Sequence, residues 1–406
     1  MSKRVVITGG SCITPIGNEW EEVEKKLRAL ENGVVYMADW EKYQRMNTRL
    51  GAPVQFPDPG FSRKQLRGMG RVALMACATA DKALAMAGLR EDEELKNGRS
   101  GVAWGSSTGN VDALLDFYAM LTDNTVQGIT ATTYIKSMPQ TCAVNIGVLY
   151  GLTGRLITTN TACTAGSLSI GYAFEAIRAG AQDIMIAGGS EELNPTEAAV
   201  FDTLYATSVK NDTPKKTPAA YDRDRDGLVI GEGSGCLILE EYEHARARGA
   251  VMYAELVGFG TNTDGTHITQ PNQQTMGVAL SLALASASLS PDAIGYVNGH
   301  GTATKHGDIA ETCATEAVFG RAVPISSLKS YMGHTLGACG AIEAWLSIKM
   351  MREGWFAPNL NLENIDQECG KLDYIQGHGR TIDTEFIMSN NFAFGGINSS
   401  LIFRRI

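Results

Sequence analysis

Short apolar runs rich in Val and Ile alternate with longer helical patterns, and this alternation limits the folds open to the chain more than any other feature. The runs RVVITGG, SGVAWGS, RLITTN and DIMIAGGSEE indicate strands that helices cover on both faces. The pattern resumes with VMYAELVGFG, IGYVNGHGT and PISSLKS. The sequence therefore predicts α/β layers in two halves of comparable element order, residues 1–250 and 251–406.

A faint internal echo supports this division. The stretches TACTAGSLSIGYAFEAIRAG and LGACGAIEAWLSIKMMREG both begin with small residues, continue as an amphipathic helix and end at Gly. Helix starts rich in Ala and Gly are common, so the echo alone is weak evidence for a duplication. A chain of 406 residues, 44% hydrophobic and 19% charged, is too long for one simple core, which also favours two packed halves.

Composition excludes several classes of protein. The N-terminal run MSKRVVITGG stops being apolar at Ile7, which predicts neither a signal peptide nor a membrane span, and we expect a cytoplasmic protein. The eight cysteines form no C-x-x-C pair and no regular spacing, so reduced thiols fit better than disulfides. A formal net charge of −9 argues against a general nucleic-acid binder.

Two basic clusters interrupt the acidic balance. The segment SRKQLRGMGR carries Arg63, Lys64, Arg67 and Arg71, and the loop VKNDTPKK carries lysines at 210, 215 and 216. Such clusters more often form a solvated charged face than a binding site. A basic patch on an acidic protein nonetheless suits an acidic partner.

One thiol, Cys163, stands at a predicted strand-to-helix corner in TNTACTAGS. A free cysteine is usually buried and behaves as a small hydrophobe. A helix N-terminus, however, presents unpaired N–H groups and a partial positive charge, which stabilise a thiolate and lower its pKa. Small neighbours would also leave room for a ligand, so Cys163 is a candidate nucleophile.

The second half offers partners for this thiol. His300 ends the predicted strand VNGHG, while Lys329 and His334 stand between a strand and a helix start in LKSYMGHTLG. Each histidine alone has an even chance or less of being functional. A metal site is less convincing, because neither histidine has a second ligand at a recognised spacing. Together with Cys163, these residues better fit covalent acyl chemistry.

At these residues the chain resembles the β-ketoacyl-acyl-carrier-protein synthases, the elongating condensing enzymes of the thiolase superfamily. The likeness runs nearly end to end and is highly specific as an ordered set of motifs: RVVITGG…TPIGN, TACTAGS, AYDRDRDGLVIGEGSG, EEYEHARARGAVMYAELVGFG, NGHGTAT, SSLKSYMGHTLGACGAIEA and SNNFAFGGIN. The resemblance implies a five-layered α/β/α/β/α fold of two similar halves, the first carrying the nucleophile, and a dimer.

The resemblance also assigns the catalytic residues. It implies that Cys163 is the acylated nucleophile of a Cys-His-His triad with His300 and His334. Lys329 matches the lysine beside the triad, and Glu343 matches the glutamate of the following helix.

Further residues are implied to bind the substrate and the carrier protein. Thr302 and Thr304 match the threonines that hold the pantetheine arm, and Phe392 matches a gating phenylalanine. Phe394 matches the residue whose N–H helps to form an oxyanion hole, and Thr108 stands where the family varies the bulk that limits acyl length. Arg63, Lys64 and Arg67 are implied to dock the acidic acyl carrier protein.

These assignments agree with the chemistry of the side chains. The Cys163 thiolate would attack an acyl thioester, and fixed N–H donors would hold the tetrahedral oxyanion. Malonyl carrier would then lose carbon dioxide, and two neutral imidazoles, kept neutral by the Lys329 cation, would stabilise the enolate. We expect no metal and no redox cofactor, since none of these steps requires one; the substrates carry phosphopantetheine on the acyl carrier protein.

Two other functions compete with this one. A coenzyme A thiolase shares the fold, but thiolases typically use a second cysteine where His334 stands. A noncatalytic subunit of the chain-length-factor type would only shape a partner's pocket, and the intact Cys163, His300 and His334 argue against it.

Several positions depart from the common family pattern. Lys305 replaces a proline, Ala393 and Ile397 alter the gating motif, and Tyr331 and Met332 precede the second histidine motif. These changes remove no catalytic group. They leave room for a polyene or polyketide pathway beside fatty-acid synthesis, and for a heterodimer with a chain-length-factor-like subunit instead of a homodimer.

Overall fold

A computed structural model describes residues 2–406 and contains, within that range, sixteen β-strands and thirteen α-helices. The strands are β1 Val5–Ile13, β2 Val35–Tyr36, β3 Leu50–Ala52, β4 Ser100–Gly105, β5 Leu156–Thr159, β6 Ile184–Glu191, β7 Ile230–Gly231, β8 Gly233–Glu241, β9 Ala254–Thr263, β10 Ile294–Asn298, β11 Pro324–Ser326, β12 Trp355–Phe356, β13 Asp373–Tyr374, β14 Arg380–Thr381, β15 Phe386–Ala393 and β16 Ile397–Arg404. The helices are α1 Trp20–Ala29, α2 Arg63–Leu66, α3 Arg71–Ala87, α4 Asp112–Asp123, α5 Ala131–Ser137, α6 Thr141–Tyr150, α7 Ala165–Arg178, α8 Pro195–Asp202, α9 Tyr242–Ala247, α10 Gln273–Ala287, α11 Lys305–Phe319, α12 Lys329–Met332 and α13 Cys339–Glu353.

The two halves repeat one sheet topology. In the first half the strands lie side by side in the order β1-β8-β6-β4-β5, and in the second half in the order β9-β16-β15-β10-β11. Numbered within each half, both orders are 1-5-4-2-3. The first two pairings are antiparallel and the last two parallel in both halves. The weak echo in the sequence therefore reflects two similar halves, as predicted.

Helices α7 and α13 lie between the two halves of the sheet system. Helix α7 contacts β4 and β6 on one side and β9 and β16 on the other, and α13 contacts β8 and β15. Helices α3 and α6 cover the outer face of the first half, while α10 covers that of the second and packs on α11. These contacts give the five α/β/α/β/α layers that the resemblance implied.

A short pairing between first strands joins the halves. Residues 5–7 of β1 pair antiparallel with residues 254–256 of β9, so that eleven strands form one continuous sheet, with β13 next to β11 at one end. The domain boundary at residue 250 stays a prediction. None of the helices among residues 2–406 is both long and apolar enough to cross a membrane.

The central helices approach each other through glycine. A Cβ at Gly166 of α7 would lie 2.9 Å from the nitrogen of Ala341, and a Cβ at Gly340 of α13 would lie 2.7 Å from the nitrogen of Ser167. Real Cβ atoms are not found this close to backbone atoms, so the small residues of the echo are required where the helices meet. This approach brings the starts of α7 and α13 together.

Candidate active site

The starts of the two central helices share one backbone geometry. After β5, Ala162 takes a positive φ of 50° and a 3₁₀ turn over 162–164 leads into α7; after β11, Leu336 takes a φ of 43° and a 3₁₀ turn over 336–338 leads into α13. A positive φ costs a non-glycine residue about 1–2 kcal/mol. The strained residue in the first half directly precedes Cys163, whose side chain is buried at the helix corner.

Cys163 and both histidines meet at this corner. Nε2 of His334 lies 3.0 Å from Sγ of Cys163, and the rings of His300 and His334 meet edge to face at 5.2 Å between centroids. Sγ of Cys163 and one nitrogen of each histidine all lie within 4.8 Å of one another. The triad implied by the resemblance is therefore assembled in space.

The backbone sets the tautomer of His334. The N–H of Leu336 donates to Nδ1 of His334 at 3.3 Å, so Nδ1 is an acceptor and the proton of the neutral ring sits on Nε2. Nε2–H therefore points at the Cys163 sulfur as a donor.

A buried ion pair lies beside the triad. Nζ of Lys329 lies 2.5 Å from Oε1 of Glu343, and both side chains are almost fully buried. Oε2 of Glu343 also accepts a hydrogen bond from Asn391 at 2.8 Å. The pair keeps the Lys329 cation in place without direct contact with water.

Burial is the main reason why both imidazoles are neutral. It lowers the pKa of His300 and of His334 well below the ordinary value, and the positive charge of Lys329 lowers both further. The predicted effect of Lys329 is present, but it is the second cause. A neutral imidazole can donate an N–H hydrogen bond to an oxyanion, and it carries no second, acidic proton that it would have to lose.

The resting state of Cys163 differs from the sequence expectation. Burial raises the pKa of its thiol to about 12, although Lys329 and the backbone N–H groups of Phe394 and Cys163 lower it. The predicted lowered pKa is wrong, because desolvation of a closed corner outweighs the helix terminus. The same two N–H groups surround the sulfur, where the sequence predicted oxyanion donors.

A cavity of about 460 Å³ leads to the thiol. It is lined by Cys163, His300 and His334 together with the predicted substrate residues Thr302, Thr304, Phe392 and Phe394. The hydroxyls of Thr302 and Thr304 lie 2.9 Å apart. All but one of the predicted substrate residues therefore face one cavity; the exception is Thr108.

Comparison with known proteins identifies the family. The model of the β-ketoacyl synthase N-terminal domain matches residues 2–245, and that of the C-terminal domain matches residues 253–363. The chain belongs to the β-ketoacyl synthase family. It is 37% identical to 3-oxoacyl-[acyl-carrier-protein] synthase 2 of Vibrio cholerae, with all of both chains covered. The synthase is thus an acyltransferase of the condensing type, which favours this function over the thiolase and noncatalytic alternatives.

Solved structures agree on the fold and show partners of related proteins. A β-ketoacyl synthase from Burkholderia phymatum is 53% identical with a TM-score of 0.98 over all of both chains. At 29% identity and a TM-score of 0.90, again over all of both chains, the synthase matches a type II polyketide ketosynthase solved with its acyl-carrier protein. A ketosynthase from Xenorhabdus doucetiae, solved with its chain length factor, is 25% identical with a TM-score of 0.86 over 100% of this chain and 98% of that one.

Thr108 lies outside the cavity of the synthase. It is exposed in the loop before α4, and its hydroxyl lies 2.7 Å from Oε1 of Glu197 and 3.1 Å from Oε1 of Glu191. The resemblance implied that Thr108 limits acyl length, and a hydroxyl without a partner at that position would disfavour an alkyl chain. In the structure the carboxylates of Glu191 and Glu197 bind this hydroxyl. The hydroxyl is therefore satisfied and gives no reason for a pocket wall at Thr108 to disfavour alkyl chains.

The predicted basic patch is smaller than the sequence indicated. Arg63, Lys64 and Arg67 are exposed on and just after the four-residue helix α2. Arg71, at the start of α3, instead forms an ion pair with the buried Glu232. Three cations therefore remain at this surface.

The sequence missed a second thiol beside the first. Sγ of Cys339, the first residue of α13, donates to the carbonyl oxygen of Cys163 at 3.2 Å. The motif GACG at a predicted helix start was a visible signal of this thiol. Burial raises the pKa of Cys339 well above the ordinary value, which keeps it a thiol and a donor.

Two cavity residues also escaped prediction. Phe201 of α8 packs against Phe394 with ring centroids 5.0 Å apart, and Arg225 lines the same cavity. Phe201 belongs to an ordinary apolar stretch and Arg225 to the charged run DRDRDG, and neither pattern by itself indicates a site. Only the tertiary structure places them at the site.

Proposed function

We propose that the synthase condenses an acyl group on Cys163 with malonyl-acyl carrier protein, releases carbon dioxide and forms β-ketoacyl-acyl carrier protein. The observation that carries this proposal is the 3.0 Å contact between Cys163 and a neutral His334 whose Nε2 holds the proton. A reactive sulfur surrounded by N–H donors suits a thioester that passes through an oxyanion.

In the first half-reaction, Cys163 Sγ attacks the carbonyl of an acyl thioester. The backbone N–H groups of Cys163 and Phe394 hold the oxyanion, and Nε2–H of His334 stabilises the sulfur as its charge grows. The bond from the carbonyl carbon to the pantetheine sulfur breaks. The thiol proton of Cys163 ends on that departing sulfur.

In the second half-reaction, malonyl carrier loses carbon dioxide and leaves an enolate. His300 and His334 donate N–H groups to the enolate oxygen, and both can do so because burial and Lys329 keep them neutral. The enolate carbon attacks the acyl carbonyl and the bond to Cys163 Sγ breaks, which restores the thiol once it takes up a proton. Thr302 and Thr304 hold the pantetheine arm.

The central test uses acyl and malonyl carrier thioesters. Intact-mass measurement should show one acyl adduct on the wild-type chain, and adding malonyl carrier should release carbon dioxide and a β-ketoacyl product. A chain that is never acylated, or that cleaves β-ketoacyl-coenzyme A without using malonyl carrier, would contradict the proposal and favour one of the two alternatives.

Carrier docking at Arg63, Lys64 and Arg67 belongs to the same proposal. The double variant Lys64→Glu/Arg67→Glu should raise KM for carrier-bound malonate and leave KM for malonyl-pantetheine unchanged, since only the carrier is acidic. Salt should weaken carrier binding of the wild type. Lys25→Glu reverses an exposed charge outside this patch and is the matched control. Equal effects on both substrates would redirect the search to Lys215 and Lys216.

We also propose that the synthase is a homodimer. Edge strand β5 and helices α4 and α5 expose large apolar side chains that water would not normally face, namely Leu114, Leu115, Tyr118, Leu121, Tyr134 and Leu156. Mass photometry should find particles of twice the chain mass, and Leu115→Lys should reduce the fraction of these dimers. A stable monomer that dimerises only with a chain-length-factor-like chain would favour the heterodimer.

Acyl length and pathway form a further part of the proposal. Thr108 precedes α4 and the exposed apolar face, so it can limit an acyl chain only where a second subunit closes that face. Thr108→Phe should shorten the longest accepted primer in a graded series of saturated and polyunsaturated carrier thioesters. An unchanged length profile would remove Thr108 from the pocket, and a preference for polyunsaturated primers would favour the polyene or polyketide pathway over fatty-acid synthesis.

The proposal requires no metal and no redox cofactor, and it places the synthase in the cytoplasm. Cys163, His300 and His334 could ligate a metal by distance alone, but the buried Lys329 cation opposes a second positive charge there. Activity should therefore survive exhaustive chelation. Eight free thiols fit a reducing compartment.

A further inference from the structure

Arg225 lines the active-site cavity, yet the condensation chemistry gives it no task. Its side chain is only 2% exposed, and an arginine is almost never this buried unless it is paired. It lies where three segments meet: its own loop after Asp222, the loop that carries His300, and residues 359–372.

The guanidinium holds the backbone of the substrate-binding loop. Nε of Arg225 donates to the carbonyl oxygen of Thr304 at 3.4 Å, and Nη2 donates to that of Lys305 at 3.0 Å. Nη1 donates to the carbonyl oxygen of Asp222 at 2.6 Å. One rigid group thus fixes the end of the segment that contains Thr302 and Thr304.

Two carboxylates fix the guanidinium in turn. Nη1 of Arg225 lies 2.7 Å from Oδ2 of Asp366, and Nε lies 3.3 Å from Oδ2 of Asp308. Asp308 is fully buried and also accepts the N–H of Ala303 at 3.1 Å. Asp366 lies beyond the segment that the family model matches, residues 253–363.

The segment held in this way is strained. Ala303, between the two threonines, has a φ of 64°, a conformation that a residue with a Cβ rarely adopts. Such a backbone persists only when its surroundings hold it. Asp308 holds the N–H of Ala303, and Arg225 holds the carbonyl groups that follow.

We propose that Arg225, oriented by Asp366, is a positioning residue that keeps the hydroxyls of Thr302 and Thr304 directed at the pantetheine arm of an arriving substrate. The inference rests on the proposed function, in which these threonines bind pantetheine. Arg225 acts through the loop and takes no part in bond making.

Asp366→Asn tests the inference with little change of shape. It should raise KM for malonyl-pantetheine about tenfold, the effect of roughly one lost hydrogen bond, and leave kcat within about twofold. A malonyl ethyl thioester, which lacks the pantetheine amides, should react as with the wild type. Glu368→Gln, in the same segment but in an exposed ion pair with Lys305, should change neither substrate.

A second variant protects the test against misfolding. Arg225→Lys keeps the charge but cannot reach all the carbonyl groups, so it should show the same selective rise in KM. A common fall in kcat for both substrates, or kinetics of Asp366→Asn identical to the wild type, would overturn the inference.

Combination with the threonines separates this inference from the proposed function. Thr302→Val/Thr304→Val should raise KM for malonyl-pantetheine by itself, and Asp366→Asn should then add nothing, because both act on one contact. If the effects of the two changes on KM are fully additive, the proposed role of Arg225 is overturned, while the pantetheine assignment stands. If the threonine variant keeps the wild-type KM, the pantetheine assignment fails and this inference fails with it.

Discussion

The two halves of the synthase share a strand order, a central helix and a strained residue before that helix, yet only the first carries the proposed nucleophile directly after that residue. Cys163 follows Ala162 in the first half; the equivalent residue after Leu336 in the second half is Gly337. A Cβ at Gly337 would lie 2.8 Å from Oε2 of Glu191. The repeated backbone therefore permits a nucleophile at both corners, and packing restricts it to one.

The halves also differ in the connection between their fourth and fifth strands. In the second half β15 and β16 are joined by the tight turn 394–396, which directly follows Ala393 and the predicted gate Phe392 at the end of β15. In the first half residues 192–232 form a long excursion between β6 and β8 that supplies Phe201 and Arg225 to the cavity. The same strand order therefore carries a short turn beside the predicted gate in the second half and a long loop that lines the cavity in the first.

The largest effect should come from removing the one corner nucleophile. Cys163→Ala should reduce condensation by at least ~10³-fold and abolish the acyl adduct, because no group replaces the covalent step. Cys339→Ala, in the other half, is the matched control and should acylate normally. An adduct on Cys339 in the Cys163→Ala chain would break the distinction between the corners.

The histidines should separate the two half-reactions. His300→Ala should slow decarboxylation ~10²–10³-fold and spare acylation, whereas His334→Ala should slow both, since its Nε2–H also faces Cys163. Half-reaction rates by quenched flow measure this. Equal effects of the two variants on acylation would assign them one shared role and remove the asymmetry.

The glycine contact between the halves should control stability. Gly340→Ala places a Cβ 2.7 Å from the nitrogen of Ser167 and should cost about 1–3 kcal/mol of unfolding free energy. Gly147→Ala in α6, where a Cβ meets nothing within 4 Å, should stabilise by up to ~1 kcal/mol. Denaturant unfolding measures the free energy of unfolding of both variants. Similar values for the two would mean that the central helices can move apart freely.

The gate should respond more modestly. Ala393 ends β15 outside the positive-φ region, while Gly395 and Gly396 carry φ values of 87° and 68°. Ala393→Gly should loosen the hairpin and change the acylation rate of Cys163 about two- to fivefold, with malonyl decarboxylation unchanged. Stopped-flow acylation measures this, and an unaltered rate would exclude stiffening by Ala393.

The smallest effect should lie at His244, where the first half ends. Burial lowers the pKa of His244, but hydrogen bonds to Glu240 and Glu94 raise it above the ordinary value overall. The stabilisation is thus present below the unfolded pKa of about 6.5 and is lost as pH rises through the folded one. Relative to His244→Gln, wild-type stability should fall by under ~1 kcal/mol across that window. A rise with pH would contradict this sign.

Much of the fold and site followed from the sequence, because strand and helix patterns are local and the family motifs are specific. The corner at Cys163 and the positions of His300 and His334 needed no tertiary information. In the stretch that begins LGACG, the helix starts only at Cys339, since the strained Leu336 and a 3₁₀ turn come first. Such a turn leaves no periodic signal.

The rest depended on burial, which one residue's neighbours in sequence do not reveal. The sequence predicted a lowered pKa for Cys163 from the helix terminus, but the closed corner raises it. Arg225 is paired with Asp308 and Asp366, and the Thr108 hydroxyl contacts Glu191 and Glu197, but these partners are distant in sequence and no local pattern predicts them. The environments of charged, thiol and hydroxyl side chains are therefore what the local sequence predicts least well.

The pairing of β1 with both β8 and β9 has a consequence for how the chain is made. Strand β1 leaves the ribosome before both of its partners, which span Gly233–Glu241 and Ala254–Thr263. Its edges must wait until β8 and β9 have been made, and another chain could pair with them during that time. A nascent chain arrested near residue 230 should therefore recruit holdase chaperones, and one arrested after residue 263 should release them.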